Sequence, residues 1–171
     1  VVNNVMHVPS NVGGSVEPQY GGGDSNWVGN YLQSNNNAYG IWVLGGDPSC
    51  PNSVYLKDNI DTNHKPTLSS PEENFVNPTN IGRSCIVSKR YDAAAVTTTS
   101  PFQAFDYVLN FAGVTKPVRD DVDQRVVNDV RNGIYRIVDN PTQVGGYPTL
   151  SSGTPPLDTD HDGNPDSWEI S

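Results

Sequence analysis

Asp158-Thr159-Asp160-His161-Asp162-Gly163-Asn164-Pro165-Asp166-Ser167-Trp168-Glu169 is the stretch whose residue types and spacing could do chemistry. Carboxylates stand at its first, third, fifth, ninth and twelfth places, and a glycine at its sixth. That is the spacing of an EF-hand-type calcium loop. Calcium takes about six to eight oxygen ligands. Asp158, Asp160, Asp162, Asp166 and Glu169 supply carboxylates, Asn164 supplies its backbone carbonyl, and Gly163 permits the sharp turn. The alternative is an acidic, solvated tail with accidental spacing, in which crowded carboxylates repel one another without a cation. The flanking helices of an EF-hand are not expected. Paired prolines, Pro155 and Pro156, remove donors and restrict their neighbours just before the loop. The loop therefore reads as a structural calcium clip, with calcium as the expected cofactor, and not as half of a sensor.

The elements that must carry this loop come from a chain of 171 residues, long enough for one domain with a sizeable core. Lys+Arg number 10 against 19 Asp+Glu, a net charge of −9, and five of the acids lie in the loop. An acidic chain without a basic run argues against nucleic acid and against anionic membrane surfaces. No apolar run approaches the roughly eighteen residues of a membrane helix. Sixteen Gly and 14 Pro mark a turn-rich chain, and its 17% of charged residues fits a secreted β protein. The chain opens on Val1, as a mature form or a piece of a longer chain would. Cys50 and Cys85 lie in loop-like sequence and lack zinc spacing. Either a disulfide joins them, which would indicate an oxidising compartment, or both are buried thiols.

Short apolar bursts fill the chain from Val1 to about Ile60. Val1-Val2-Asn3-Asn4-Val5, Trp27-Val28-Gly29-Asn30-Tyr31 and Leu56-Lys57-Asp58-Asn59-Ile60 overlay on their asparagines, at spacings of 30−4=26 and 59−30=29 residues. Two arrangements fit. One is stacked coils of a parallel β-helix, with asparagines hydrogen-bonding along the axis. The other is unrelated strand-turn units of a β-sandwich. Residues 39–44 form a further strand. Residues 61–99 are irregular around a short strand at Cys85–Ser88, and His64, Arg83, Lys89 and Arg90 read as solvated loop side chains. His7 reads as a hydrogen-bonded structural residue.

Two helices follow. Ser100-Pro101-Phe102-Gln103 is a capping box with proline at the first helical position. Phe102, Phe105, Val108, Leu109 and Ala112 are expected to form its apolar face, ended by Gly113. A second helix is expected from Val118 to Asn132, with valines at 118, 122, 126 and 130 and Gly133 as its stop. Asp120 and Asp121 in its first turn and Arg131 in its last match the helix dipole, and its charges read as a solvated face. Residues 134–138 are expected to be a strand.

These residues resemble a family. Phe105-Asp106-Tyr107-Val108-Leu109-Asn110-Phe111-Ala112-Gly113, the run 119–133, Ile137-Val138-Asp139, Val144-Gly145-Gly146-Tyr147-Pro148 and the acidic loop resemble the carboxy-terminal region of bacterial pectate lyase-like proteins. Asn3-Asn4-Val5, Val28-Gly29-Asn30-Tyr31 and residues 54–59 are similar to that family's last coils. Tyr147 stands where many relatives carry Trp. The resemblance implies a mainly β fold: the final coils of a right-handed parallel β-helix (1–99), a helical cover segment (100–150) and a calcium-binding tail with an EF-hand-like loop (151–171). It also implies a secreted protein that meets an acidic, pectate-like polysaccharide.

The family cleaves polygalacturonate by β-elimination. A calcium ion held by aspartates acidifies the proton beside the uronate carboxylate, and an arginine removes it. In relatives the catalytic arginine motif, a His-His-Asn run and the substrate-calcium aspartates lie upstream of the Asn-Asn-Val coil, where this chain begins. No residue here matches a catalytic position, so the chain is expected to be inactive alone. Two other readings stand beside a lyase tail. One is a non-catalytic β-helix subunit that assembles head-to-tail through an open amino-terminal end into a filament or surface layer. The other is a carbohydrate-binding module that uses Tyr20, Trp27, Tyr39 and Trp42.

Overall fold

A computed structural model describes residues 1–8, 15–16, 23–35, 38–43, 53–78, 82–116, 118–149 and 153–169. Its strands are β1 (Val5–Val8), β2 (Ser15–Val16), β3 (Ser25–Val28), β4 (Tyr31–Ser34), β5 (Trp42–Val43), β6 (Val54–Lys57), β7 (Ile60–Asp61) and β8 (Ile86–Val87). They form three sheets of order β1-β4-β7, β2-β5 and β3-β6-β8. Every strand pair is parallel. Val5 lies beside Tyr31 and Tyr31 beside Ile60, offsets of 31−5=26 and 60−31=29 residues. Ser15 lies beside Trp42, Ser25 beside Val54 and Val54 beside Ile86. The chain thus visits the three sheets in a repeating order, laying each strand on its counterpart about one period earlier. A sandwich of hairpin strands would pair neighbours antiparallel, and the described ladders do not. The fold is mainly β.

The reason for the spacing lies at the bend between β3 and β4 and its equivalents. Asn4, Asn30 and Asn59 stack. Asn30 Oδ1 accepts from the backbone N–H and the side-chain Nδ2 of Asn4, both at 3.1 Å. Asn59 Oδ1 accepts from the same two groups of Asn30, at 3.1 and 2.8 Å. Asn30 Nδ2 also reaches Val1 O at 3.3 Å, and Asn59 Nδ2 reaches Trp27 O at 2.9 Å. Asn30 and Asn59 are wholly buried. Each is preceded by a residue of positive φ: Asn3 (54°) before Asn4, Gly29 (67°) before Asn30 and Asp58 (55°) before Asn59. Glycine and short polar side chains are the residues that tolerate this left-handed bend. The ladder meets Glu72, whose carboxylate accepts from Asp58 N at 2.7 Å and from Asn59 Nδ2 at 3.5 Å. The fully buried Lys65 pairs with Glu72 at 3.3 Å.

The core lies inside the three sheets. Leu32, Ile41, Val54, Phe75 and Val76 have no exposed surface, and Trp27, Leu56 and Cys85 close around them. Burying one such side chain contributes about 1.5–3 kcal/mol. Gly40 lies directly against the Phe75 ring, where a Cβ would collide. Residues 91–99 have no regular secondary structure and are tied to the strand region by side chains. Asn26 makes a pair of hydrogen bonds with the backbone of Tyr91, at 3.0 and 2.9 Å. Asn3 likewise binds Thr97 O and Thr99 N, at 2.9 and 3.1 Å. The irregular segment is therefore held by side-chain amides that mimic a strand edge.

Helix α1 (Pro101–Phe111) starts at Ser100 with the expected reciprocal bonds to Gln103. Its buried residues are Pro101, Ala104 and Leu109, and Phe105 meets the Tyr31 ring at 4.7 Å between centroids. Phe102 is 47% exposed and Ala112 is exposed, so the buried stripe is rotated from the expected face. Helix α2 (Asp121–Asn132) starts later than expected, because the Asp120 side chain accepts from Asp123 N at 2.8 Å and caps it. Val118 lies outside it, exposed. Gly133, at φ 64°, ends it as expected. Asp129 on this helix is buried between Arg125 and Arg136, so that part of the charged face is not solvated. Residues 134–138 form no strand. Ile137 is exposed, Ile134 N returns to Asp129 O at 2.8 Å, and the Arg136 side chain turns to Asp129.

Replacing Asn59 by Ala strands buried donors and acceptors on both neighbours in the ladder. The expected loss is about 1–3 kcal/mol for each buried group left unpaired, read from urea unfolding. A change below about 0.5 kcal/mol, the ordinary scatter of surface substitutions, would mean that the ladder is incidental.

Candidate functional site

The acidic loop is built by its own backbone. Asp158 Oδ1 accepts from His161 N at 2.8 Å and its Oδ2 from Gly163 N at 3.0 Å. His161 and Gly163 take positive φ, 66° and 94°, which curls the chain around the first carboxylate. Asp162 Oδ1 accepts from Asn164 N at 2.8 Å. Asp166 N donates to Leu157 O at 2.8 Å and ties the two ends of the loop together. The single-turn helix α3 (Asp166–Glu169) follows.

This folding brings Asp158, Asp160 and Asp162 together, with a carboxylate oxygen from each within 4.8 Å of the others. Asp158 is half-buried, and Asp160 and Asp162 are exposed. A set made only of carboxylate oxygens suits a hard cation such as calcium or magnesium and not zinc or copper. Of the other expected carboxylate ligands, Asp166 and Glu169 stand outside that group. Asp166 gives both oxygens to Thr159, accepting from its N–H at 2.6 Å and its hydroxyl at 2.7 Å. Glu169 lies exposed on α3, and Asn164 makes its side-chain contact with Asp162 at 3.2 Å.

Other candidates fall elsewhere. His64 is not a solvated loop side chain. Its Nδ1 lies 3.0 Å from the fully buried Asp61 carboxylate, and its ring stacks on Tyr39 at 3.7 Å. Asp61 Oδ1 also accepts from the N–H groups of Asn63 and His64, so this pair organises a turn at the end of β7. Lys65 and Glu72 were not among the candidates, because a lysine in a polar loop carries no sequence mark of burial. Arg83 donates to Val76 O at 3.4 Å, while Lys89 and Arg90 are exposed. His7 is hydrogen-bonded as expected, to Gln33 at 3.2 Å and to Ile134 O at 3.0 Å. Trp27 belongs to the core and Tyr39 stacks on His64, so these two make no open sugar platform. Tyr20 and Cys50 lie outside the described residues, and with Cys50 the expected disulfide; Cys85 is buried. Among the described residues, no helix is long and apolar enough to cross a membrane.

The two bonds from Thr159, the hydroxyl first, hold the Asp166 carboxyl below its ordinary value of 3.8. A lowered folded-state value stabilises the closed loop above the ordinary carboxylate range, and that contribution is lost as pH falls through the folded value. A carbon-detected NMR titration should find Asp166 titrating below 3.8, and Thr159→Val should move its midpoint upward. An unchanged midpoint would remove the hydroxyl as the cause.

No family model matches the chain, and no solved structure matches it. Curated relatives do. A protein named probable pectate lyase C from Neosartorya fischeri is 33% identical over 180 residues. Proteins of the same name from Aspergillus flavus and Aspergillus fumigatus are each 32% identical, over 176 and 171 residues. These relatives are fungal, where the residues resembled bacterial proteins. Each similarity takes in 98% of this chain, which spans 40% of the length of each relative. Nearly the whole chain is therefore similar to a part of proteins that carry the pectate lyase name.

Proposed function

We propose that this chain is the carboxy-terminal part of a secreted pectate lyase-like polysaccharide lyase, an extracellular enzyme acting on an acidic, pectate-like polysaccharide. The observation that carries this reading is the similarity over 98% of the chain to proteins named probable pectate lyase C. The repeating parallel ladders support it. We read them as the final coils of a right-handed parallel β-helix (1–99), covered by the helical segment (100–150) and followed by the loop-bearing tail (151–171).

In β-elimination a base takes the proton from the carbon beside the uronate carboxylate. The electron pair then forms a carbon–carbon double bond, and the glycosidic C–O bond breaks with departure of the sugar oxygen. No residue of this chain matches the family's catalytic arginine or its substrate-binding aspartates. Its contribution is architectural: it extends and closes the stack on which those groups would sit. Asp158, Asp160 and Asp162 fit a hard cation, and with Asn164, Asp166 and Glu169 they would hold structural calcium. The ion would supply positive charge that offsets the mutual repulsion of the carboxylates. Glu169 and Asp166 would complete the oxygen set from α3.

Two outcomes are expected. The purified 171-residue chain should form no unsaturated product from polygalacturonate, and sustained elimination by it would overturn the assignment of catalysis to other coils. Calcium at 100 times its dissociation constant should add about 2.7 kcal/mol, or roughly 5–10 °C of melting temperature for a chain of this size. Asp160→Asn, which disturbs few loop hydrogen bonds, should remove most of that gain. Identical melting in calcium and in chelator would contradict the clip.

A further inference from the structure

A second polar site lies away from the acidic loop. A cleft of about 260 Å³ opens between β1 and α2, lined by His7, Arg125, Asp129, Val130, Ile134 and Arg136 with Val126 at its rim. Arg136 Nε donates to Asp129 Oδ2 at 2.8 Å, and Arg125 Nη1 approaches the same oxygen at 3.8 Å. Two guanidinium groups thus share one carboxylate and leave one positive charge in excess, on a chain whose net charge is −9. Each guanidinium carries five N–H donors. The Nε of Arg125 is buried with no hydrogen-bond partner. A buried donor without a partner is costly unless something enters to accept from it. The wall opposite is held in place: the ring nitrogens of His7 lie 3.2 Å from Gln33 Oε1 and 3.0 Å from Ile134 O, and its ring stacks on Tyr135 at 4.3 Å and 5°. Val130 and Ile134 add an apolar floor suited to a carbon ring.

We infer that this cleft is a binding site for a monoanionic carboxylate the size of a single sugar acid. Its carboxylate would accept from the uncommitted donors of Arg125 and Arg136, the pairing that a planar fork makes best. Among Arg125, Arg136 and Asp129 one positive charge is in excess, which a monoanion matches and a phosphate dianion exceeds. The volume lies just below the about 300–1,000 Å³ of sites for drug-sized ligands and suits a small one. The choice of a uronate as probe rests on the polysaccharide reading above, but binding and elimination are measured separately, so either can fail alone.

The test is a titration of the ¹⁵N-labelled chain with D-galacturonate, D-galactose and inorganic phosphate, followed by NMR. Galacturonate should shift the amides of Val126, Val130 and Ile134 saturably, galactose should not, and phosphate should bind more weakly. Arg125→Gln should weaken galacturonate at least tenfold. Val126→Glu, which adds a negative charge at the half-exposed rim, should do the same without touching Asp129 and decides the matter if the first variant misfolds. The inference is overturned by an absence of saturable shifts, by equal binding of galactose, by tighter binding of phosphate, or by undiminished affinity in a folded variant.

Discussion

The structure depends on how three side-chain amides are satisfied out of water. A buried amide is costly unless its donors and acceptor are paired. Asn30 meets that demand only because Asn4 and Asn59 lie on either side of it. No single turn of chain can close these bonds by itself. The spacings of 26 and 29 residues are therefore the lengths of chain that return an asparagine to the same corner. The same constraint explains the residue before each one, since Asn3, Gly29 and Asp58 take the left-handed bend that aims the amide inward. Beside Asn59, Glu72 accepts from Asp58 N and Asn59 Nδ2, and the buried Lys65 pairs with it.

From this corner the remaining architecture follows. Parallel pairing puts like on like, so Leu32, Val54 and Ile41 project into one interior that Phe75 fills. A second pair of asparagines, Asn3 and Asn26, works at the surface. Each offers an amide in place of a strand edge and fixes the segment between the sheets and α1. The acidic loop stands apart from this system. Among the described residues, the bonds that shape it run within residues 157–168, apart from the asparagine ladder.

Much of this was legible wherever one residue type has one physical use. The asparagine overlay, the Ser100–Gln103 capping box and the Gly133 stop each name a local geometry that few other residues provide. One part of the acidic loop was legible for the same reason: carboxylates at alternate places just before a glycine converge, and Asp158, Asp160 and Asp162 do. The failures came where tertiary context decides. Val118 fits a helical period, but Asp120 is the better cap and starts the helix after it. Residues 134–138 have strand composition, yet the backbone of Ile134 is taken by Asp129 and His7, so no ladder forms. His64 and Lys65 read as loop residues because nothing in their neighbours' identities announces a buried Asp61 or a reaching Glu72.

Hydrogen exchange of the backbone amides at the ladder tests the central claim most directly, because each of these N–H groups is bonded to a residue distant in the chain. If the asparagine corner organises the stack, Asn30, Tyr31 and Ile60 should exchange together, at the rate of global unfolding and far more slowly than the amides of residues 153–169. Exchange of these three at the rate of the loop amides would show that the corner opens independently, and the account of the fold built on it would be wrong.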